Sequence, residues 1–132
     1  MFLRPCSDME LLPQRTGPSG FVLRAQAAGE SRLLAALHLF SGLGQPTKSL
    51  TTVAVCADGF PVAGLWESKT PDGWAFDIAV SPAFQNQGIG TELAKLALSH
   101  AQENNARPNP NIATLGGKRI VEKAVQAQTR AL

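Results

Sequence analysis

Length, composition and charge place the chain in a narrow set of protein classes. It has 132 residues, of which 44% are hydrophobic and 17% charged. This composition is typical of one globular domain and excludes a disordered chain. The net charge of +2 comes from scattered basic residues, so we expect no nucleic-acid partner. With two cysteines, no signal-peptide pattern and no apolar run of ~20 residues, we expect a cytoplasmic protein with no membrane partner.

The first 50 residues predict a short strand, two helices and a loop. Residues 2–5 predict the strand, and residues 9–12 a short capped helix. Residues 13–20 hold two prolines and two glycines, which predict a loop. Between about 24 and 41, apolar residues recur at helical spacing and glycines follow. This pattern predicts an amphipathic helix.

The middle of the chain predicts three consecutive strands. Residues 51–57 are β-branched and apolar, and Asp58-Gly59 after them is a strong hairpin signal. Residues 61–68 form the return strand, and the turn Pro71-Asp72-Gly73 leads into a third strand over 74–80. Strands joined in sequence by two tight turns predict an antiparallel meander.

A loop and an amphipathic helix follow the meander. The helix is predicted from Gly88 to about residue 104, because apolar residues recur on one face. That face comprises Ile89, Leu93, Leu96, Ala97 and His100. A short strand over 111–115 and a last helix over 118–131 complete the chain. The order β, α, α, β, β, β, α, β, α predicts an α/β fold whose central sheet is mixed and mostly antiparallel.

The start of the helix at Gly88 is a candidate anion site. A helix N-terminus leaves backbone N–H groups without partners and carries partial positive charge, so it binds anions without a metal. The glycines at 88 and 90 would let a diphosphate approach the amides of residues 87–91, and Thr91 could add a hydroxyl. The alternative is that two glycines at this turn serve tight packing alone.

The sequence around this loop resembles a known cofactor motif. A strand that ends in Val-x-Pro is followed by Gln-x-x-Gly-x-Gly and an amphipathic helix. This pattern resembles the acyl-CoA-binding motif of the GNAT superfamily of N-acetyltransferases. The stretch 76–90 is especially similar to members that acetylate ribosomal-protein N-termini. The similarity covers about residues 51–104 and implies a single GNAT-like domain over 1–132 with acetyl-CoA as cofactor.

The resemblance also implies where the cofactor lies. Its pyrophosphate would rest on the amides at the helix start, and its pantetheine arm would run beside the third strand. An amine would then attack the acetyl carbonyl directly in a ternary complex. The cofactor-binding residues implied are Ile78, Val80, Gln85, Gln87, Gly88, Ile89, Gly90 and Thr91.

Several residues are candidates for proton transfer. An attacking amine must lose a proton, often to a carboxylate through a water. Asp77 is the first candidate, since some family members carry an acid at this position; the alternative is a solvated surface residue. Asp72 is the second candidate, although its Pro-Asp-Gly context also fits a plain turn. Glu67 is the third. His38 and His100 lie beside apolar residues on predicted helices and fit structural histidines better than bases.

The chain departs from the family near its end. Many members protonate the leaving thiolate with a tyrosine on the last helix, but this chain contains no tyrosine. Ser99, Thr114 or a water could replace it, or the thiolate could leave unassisted. The domain is also expected to be short at the C-terminus, without the family's terminal hairpin. An open sheet edge invites pairing, so we expect a homodimer or a partner to cover it.

Three functions remain open at this point. The first is an N-acetyltransferase that acts on a small-molecule amine or a protein amine. The second is a degenerate module of the same fold that binds CoA or a protein without efficient catalysis, which the missing tyrosine favours. The third is a protein whose glycine-rich helix start is only a packing feature and which works by binding a partner. The sequence names no acceptor and no acyl length.

Overall fold

The computed structural model describes residues 15–16, 22–24, 30–55, 61–111 and 115–130. These residues form six strands and three helices. In chain order the elements are β1 (Arg15–Thr16), β2 (Val22–Arg24), α1 (Glu30–His38), β3 (Ser49–Val55), β4 (Pro61–Thr70), β5 (Gly73–Val80), α2 (Ile89–Glu103), β6 (Pro108–Pro110) and α3 (Leu115–Arg130). A wide π-type turn, Leu39–Leu43, continues α1, and a short 3-10 turn, Pro82–Phe84, precedes α2.

The six strands form one sheet in the order in which they occur along the chain. Each neighbouring pair from β1 to β5 is antiparallel, and only the pair of β5 and β6 is parallel. The predicted meander is therefore present as β3, β4 and β5. The prediction of a mixed, mostly antiparallel sheet flanked by helices is confirmed.

Side-chain alternation along the strands gives the sheet two buried faces. On one face Leu65 and Phe76 pack beneath α2, whose Leu93 is fully buried against them. On the other face Trp66 packs with Leu34 of α1. Burial of one such side chain stabilises the fold by about 1.5–3 kcal/mol, so each face anchors its helix. The sheet therefore positions the ends of α1 and α2 on opposite sides of β5.

The last strand is short and pairs with only the first half of β5. The amide of Trp74 donates to the carbonyl of Arg107 at 2.7 Å, and the amide of Asn111 donates to Phe76 at 2.9 Å. Since backbone groups alternate along a strand, those of residues 108 and 110 point away from β5. Both of these residues are proline. The outer edge of β6 therefore has no N–H donor at either position.

Two predictions for the first half of the chain are wrong. Residue 24, the predicted start of a helix, is the last residue of β2, and residues 15–16 form β1 within the predicted loop. Of the helix predicted over 24–41, the described part comprises α1 and the π-type turn after it, and Gly42, with φ +82°, interrupts it where glycines were expected to follow. The strand β2 forms because it pairs with β3, and the spacing of apolar residues along the chain carries no information about that tertiary contact.

Two predictions near the C-terminus need correction as well. The strand predicted over 111–115 lies at 108–110, and α3 begins at residue 115 rather than 118. The two prolines of β6 fit this position, because proline is tolerated in an edge strand. The predicted strand over 2–5, the helix over 9–12 and the turn at 58–59 lie outside the described residues.

Candidate functional site

A cleft of about 660 Å³ lies at the Val80 end of β5. Four elements form its walls: the open edge of β5, the start of α2, one face of α3 and the turn that follows α1. The described residues that line it are Leu37, Ser41, Leu43, Ile78, Ala79, Val80, Pro82, Phe84, Gln85, Asn86, Gly88, Ile89, Gly90, Thr91, Asn111, Gly117, Arg119, Ile120 and Lys123. Of the eight predicted cofactor residues, all except Gln87 are in this lining.

The edge of β5 exposes backbone groups to the cleft. The bonds of Trp74 and Phe76 to the chain around β6 show that even-numbered residues of β5 direct their N–H and C=O groups to that side. Ile78 and Val80 have the same parity, but β6 pairs no further than Phe76. Within the described chain their backbone groups therefore face the cleft. An extended ligand could bond to this edge as an added strand does.

The loop before α2 is arranged around the glycine at its N-cap. Gly88 adopts a left-handed conformation with φ +88°, which glycine tolerates best. The side-chain amide of Gln85 donates to the carbonyl of Val80 at 3.1 Å and so fixes the loop to the end of β5. No described residue accepts a hydrogen bond from the amides of residues 89–91. These are the unpaired donors that a helix N-terminus offers to an anion.

The second glycine has a different role from the one predicted. A Cβ at Gly90 would lie 2.7 Å from Cδ1 of Ile120, closer than real side chains approach. The absent side chain therefore allows α3 to pack against the first turn of α2. The packing interpretation holds for Gly90. The left-handed Gly88 supports the turn that leaves the amides accessible.

Two cations on α3 line the same cleft and were missed by sequence reasoning. Arg119 and Lys123 are exposed and one helical turn apart. They flank Ile120, whose side chain packs against the core beneath α2. Their positions at the border of the apolar stripe of α3 were the sequence signal that could have identified them. Among the described lining residues none is an aspartate or a glutamate. The charge of the described walls is therefore entirely positive, which favours an anionic ligand.

Asp77 lies beneath the cleft wall rather than in it. Only 2% of its surface is exposed, so the alternative of a solvated surface residue is wrong. Its Oδ2 atom is 2.7 Å from Nε2 of His38, which is itself 1% exposed. The Nζ atom of Lys48 is 3.0 Å from Oδ1. That contact is an ion pair without hydrogen-bond alignment, because Oδ1 accepts no hydrogen bond from the described residues.

Glu67 lies on the other face of the sheet and outside the cleft lining. Its carboxylate is 3% exposed and accepts hydrogen bonds from Thr51 Oγ1 and, at 2.7 Å, from Trp74 Nε1. His100 Nδ1 is 2.8 Å from Oε2. Donors thus surround this buried carboxylate on both oxygens, as a stable buried charge requires. His100 is consistent with the predicted structural role.

Asp72 occupies the exposed turn between β4 and β5. Its backbone amide donates to Thr70 Oγ1 at 3.2 Å, a contact that belongs to the turn. This turn is at the end of β5 opposite Val80, where the cleft lies. The structure therefore brings Asp77 near the cleft but does not bring Asp72 there. The plain-turn interpretation of Pro71-Asp72-Gly73 is confirmed.

No group of three or more histidine, cysteine, aspartate or glutamate residues is placed to hold a metal ion within the described ranges. None of the helices described here combines the length and the apolar character that a bilayer span requires.

The fold and the cleft define a class of protein that comparison identifies directly. The family model described as the acetyltransferase (GNAT) family matches residues 21–109. The chain therefore belongs to the GNAT acetyltransferase family. No curated protein is significantly similar to it in sequence.

Two solved structures share the fold at low sequence identity. A GCN5-related N-acetyltransferase from Sphaerobacter thermophilus superposes with a TM-score of 0.61 and 20% identity, over 80% of this chain and 43% of that one. The chain thus spans less than half the length of that protein. A structure provisionally named as a phosphinothricin N-acetyltransferase gives a TM-score of 0.61 and 17% identity, over 79% of this chain and 80% of the other. At these identities the likeness shows the fold.

Proposed function

We propose that the cleft binds acetyl-CoA and that the protein is an N-acetyltransferase acting on a primary amine of a small molecule or a protein. One observation carries the proposal. A single cleft joins the unpaired edge of β5, the free amides at the start of α2 and the cations of α3. These three features match the three parts of the cofactor: an extended amide chain, a diphosphate and a further phosphate.

The residues present fit this ligand without a metal. The amides of residues 88–91 and the positive end of the helix would bind the pyrophosphate. The backbone of Ile78 and Val80 would pair with the amides of the pantetheine arm. Arg119 and Lys123 would add charge-assisted hydrogen bonds to phosphate oxygens. Together these contacts would leave the thioester beside Ala79, near the turn that follows α1.

The chemistry at the thioester requires a neutral amine. Its nitrogen attacks the acetyl carbonyl carbon, the carbon–sulfur bond breaks, and CoA leaves as a thiolate while the amine loses a proton. No carboxylate is in the described lining of the cleft, so we propose that water accepts this proton. The activity would then rise with pH as more of the acceptor becomes neutral.

The lack of a carboxylate in the described lining also favours a second function. The described cleft has no carboxylate, and the chain has no tyrosine to act as an acid. A CoA-binding module without efficient catalysis would have these properties. This alternative predicts cofactor binding without release of free thiol across a panel of amines and peptides. The proposed enzyme releases one thiol for each amine acetylated.

Calorimetric titration with acetyl-CoA tests the proposal. We expect a dissociation constant in the micromolar range for the unaltered chain, and no binding at millimolar cofactor would contradict both functions. Arg119→Glu and the neighbouring Lys118→Glu form a matched pair, because both residues are exposed but only Arg119 lines the cleft. We expect Arg119→Glu to weaken binding about tenfold or more, and Lys118→Glu about threefold at most. Equal effects would place the phosphates elsewhere.

A further inference from the structure

The imidazole of His38 connects the end of α1 to β5. Its Nδ1 atom lies 2.8 Å from the carbonyl oxygen of Gly44, six residues along the chain. Its Nε2 atom lies 2.7 Å from Oδ2 of Asp77. The ring also packs edge-on against Trp66, with centroids 4.6 Å apart. The ring and Asp77 are both buried, so water does not compete for the contact between them, whereas Gly44 is exposed.

The two contacts together require an additional proton. A carbonyl oxygen only accepts, so Nδ1 of His38 carries a hydrogen and donates it to Gly44. The contact with Asp77 then needs a hydrogen on Nε2 or on Oδ2. The Nζ atom of Lys48 lies beside the other oxygen of Asp77, 3.0 Å from Oδ1. The hydrogen bonds of this cluster therefore depend on both ring nitrogens of His38.

The segment that this network holds is part of the cleft wall. The wide turn Leu39–Leu43 and its cap Gly44 follow α1, with Gly42 and Gly44 at φ +82° and +78°. Ser41 and Leu43 of this turn line the cleft on the α1 side of the sheet, whereas the free amides of α2 start on the other side. A turn with two left-handed glycines has little conformational preference of its own. Within it Ser41 Oγ donates to the carbonyl of Leu37 at 2.8 Å, and the contacts of His38 connect it to β5.

We propose that His38 is a positioning residue that fixes this turn, and with it the acceptor side of the cleft, by bridging Gly44 and Asp77. Asp77 is then the anchor of the bridge rather than a base. The inference rests on the proposed function for the statement that this side receives the acceptor. The bridge itself follows from the contacts of the buried ring.

A general loss of stability is the competing explanation, and replacement of Asp77 distinguishes the two. Asp77→Ala removes the anchor. Asp77→Asn retains a hydrogen-bonding partner for the ring. The side-chain N–H of asparagine donates to Nε2 of a neutral ring, while Nδ1 still donates to Gly44. His38→Phe removes both bonds but retains a ring against Trp66. His100→Gln disturbs the second buried histidine, at the Glu67 cluster, and is the matched control.

Hydrogen exchange followed by mass spectrometry is the decisive measurement. In His38→Phe and Asp77→Ala we expect amides of residues 39–44 to exchange at least about tenfold faster, with α2 unchanged. In Asp77→Asn and His100→Gln we expect exchange of the turn to stay within about threefold of the original chain.

The outcomes separate the two proposals. Unchanged exchange of the turn in His38→Phe, or equal loosening of the whole chain, would overturn the bridge, as would failure of Asp77→Asn to restore slow exchange. Calorimetry with acetyl-CoA on the same proteins tests the proposed function. We expect the affinity in His38→Phe to stay within about threefold, since the phosphate contacts lie on α2 and α3. Absence of binding to the unaltered chain contradicts the proposed function alone.

Discussion

Two buried carboxylates on opposite faces of the sheet differ in how their charge is compensated. Glu67 receives hydrogen bonds from a hydroxyl, an indole and an imidazole. Asp77 contacts an imidazole through one oxygen, while the other oxygen has only an unaligned ammonium. The carboxylate of Glu67 is thus fully satisfied by neighbours outside the cleft. That of Asp77 is part of a network adjoining the cleft.

Removal of Glu67 should therefore affect stability and not ligand binding. Glu67→Ala leaves three buried or half-buried donors without an acceptor, so we expect a loss of about 3 kcal/mol in the free energy of unfolding. Urea denaturation measures this loss. Asp72→Ala removes an exposed carboxylate and should change stability by about 0.5 kcal/mol at most. A smaller effect for Glu67→Ala than for Asp72→Ala would contradict this account of the cluster.

At the scale of elements, the contact of α2 with α3 fixes one wall of the cleft. Gly90 permits the contact because it presents no side chain to Ile120. The atom that a Cβ would meet is the end of a flexible side chain, so the clash is moderate. An alanine here also favours the helix intrinsically by about 0.5–1 kcal/mol. The two effects oppose each other in a single substitution.

A double-mutant cycle separates these effects. We expect Gly90→Ala to leave stability unchanged or lower it, and Gly90→Ala in an Ile120→Val background to raise it, because valine lacks the Cδ1 atom that blocks the Cβ. The coupling energy, measured by urea denaturation, should be about 0.5–1.5 kcal/mol. Additive effects would show that the helices separate freely at this point.

The elements that the sequence predicted correctly are those with strong local signals. Turn residues bound β4 and β5, and a long apolar stripe marks α2, so local rules were sufficient. The strands β2 and β6 have three residues each and exist through pairing with their neighbours, which no local pattern encodes. The glycine loop was found from its motif. The network of His38 and Asp77 was not, because 39 residues separate the partners.

At the scale of the molecule, the edge of the sheet at β6 bears on self-association. The homodimer expected from an open edge remains a prediction. The outward positions 108 and 110 are prolines, which cannot donate to an added strand. Pairing through this edge is therefore disfavoured.

Restoring N–H donors at positions 108 and 110 should allow this edge to pair with a strand of another molecule. We expect Pro108→Thr combined with Pro110→Thr to increase association, seen as a rise in mean mass by light scattering at tens of micromolar protein. Asn109→Thr is the matched control, because its backbone N–H already points to β5. Identical masses for the double variant and the control would show that the prolines do not limit pairing.

The half-paired state of β5 has a thermodynamic consequence. Its first half is completed by β6, whereas β6 does not pair with Ile78 or Val80, and the carbonyl of Val80 accepts the side-chain amide of Gln85. A ligand that forms hydrogen bonds with these residues takes the place of a strand. Because such a ligand binds only the folded state, its binding shifts the folding equilibrium toward that state. At a hundredfold excess over its dissociation constant, such a ligand adds about 2.7 kcal/mol to the stability of the folded state. The free energy of unfolding would then rise with the concentration of such a ligand.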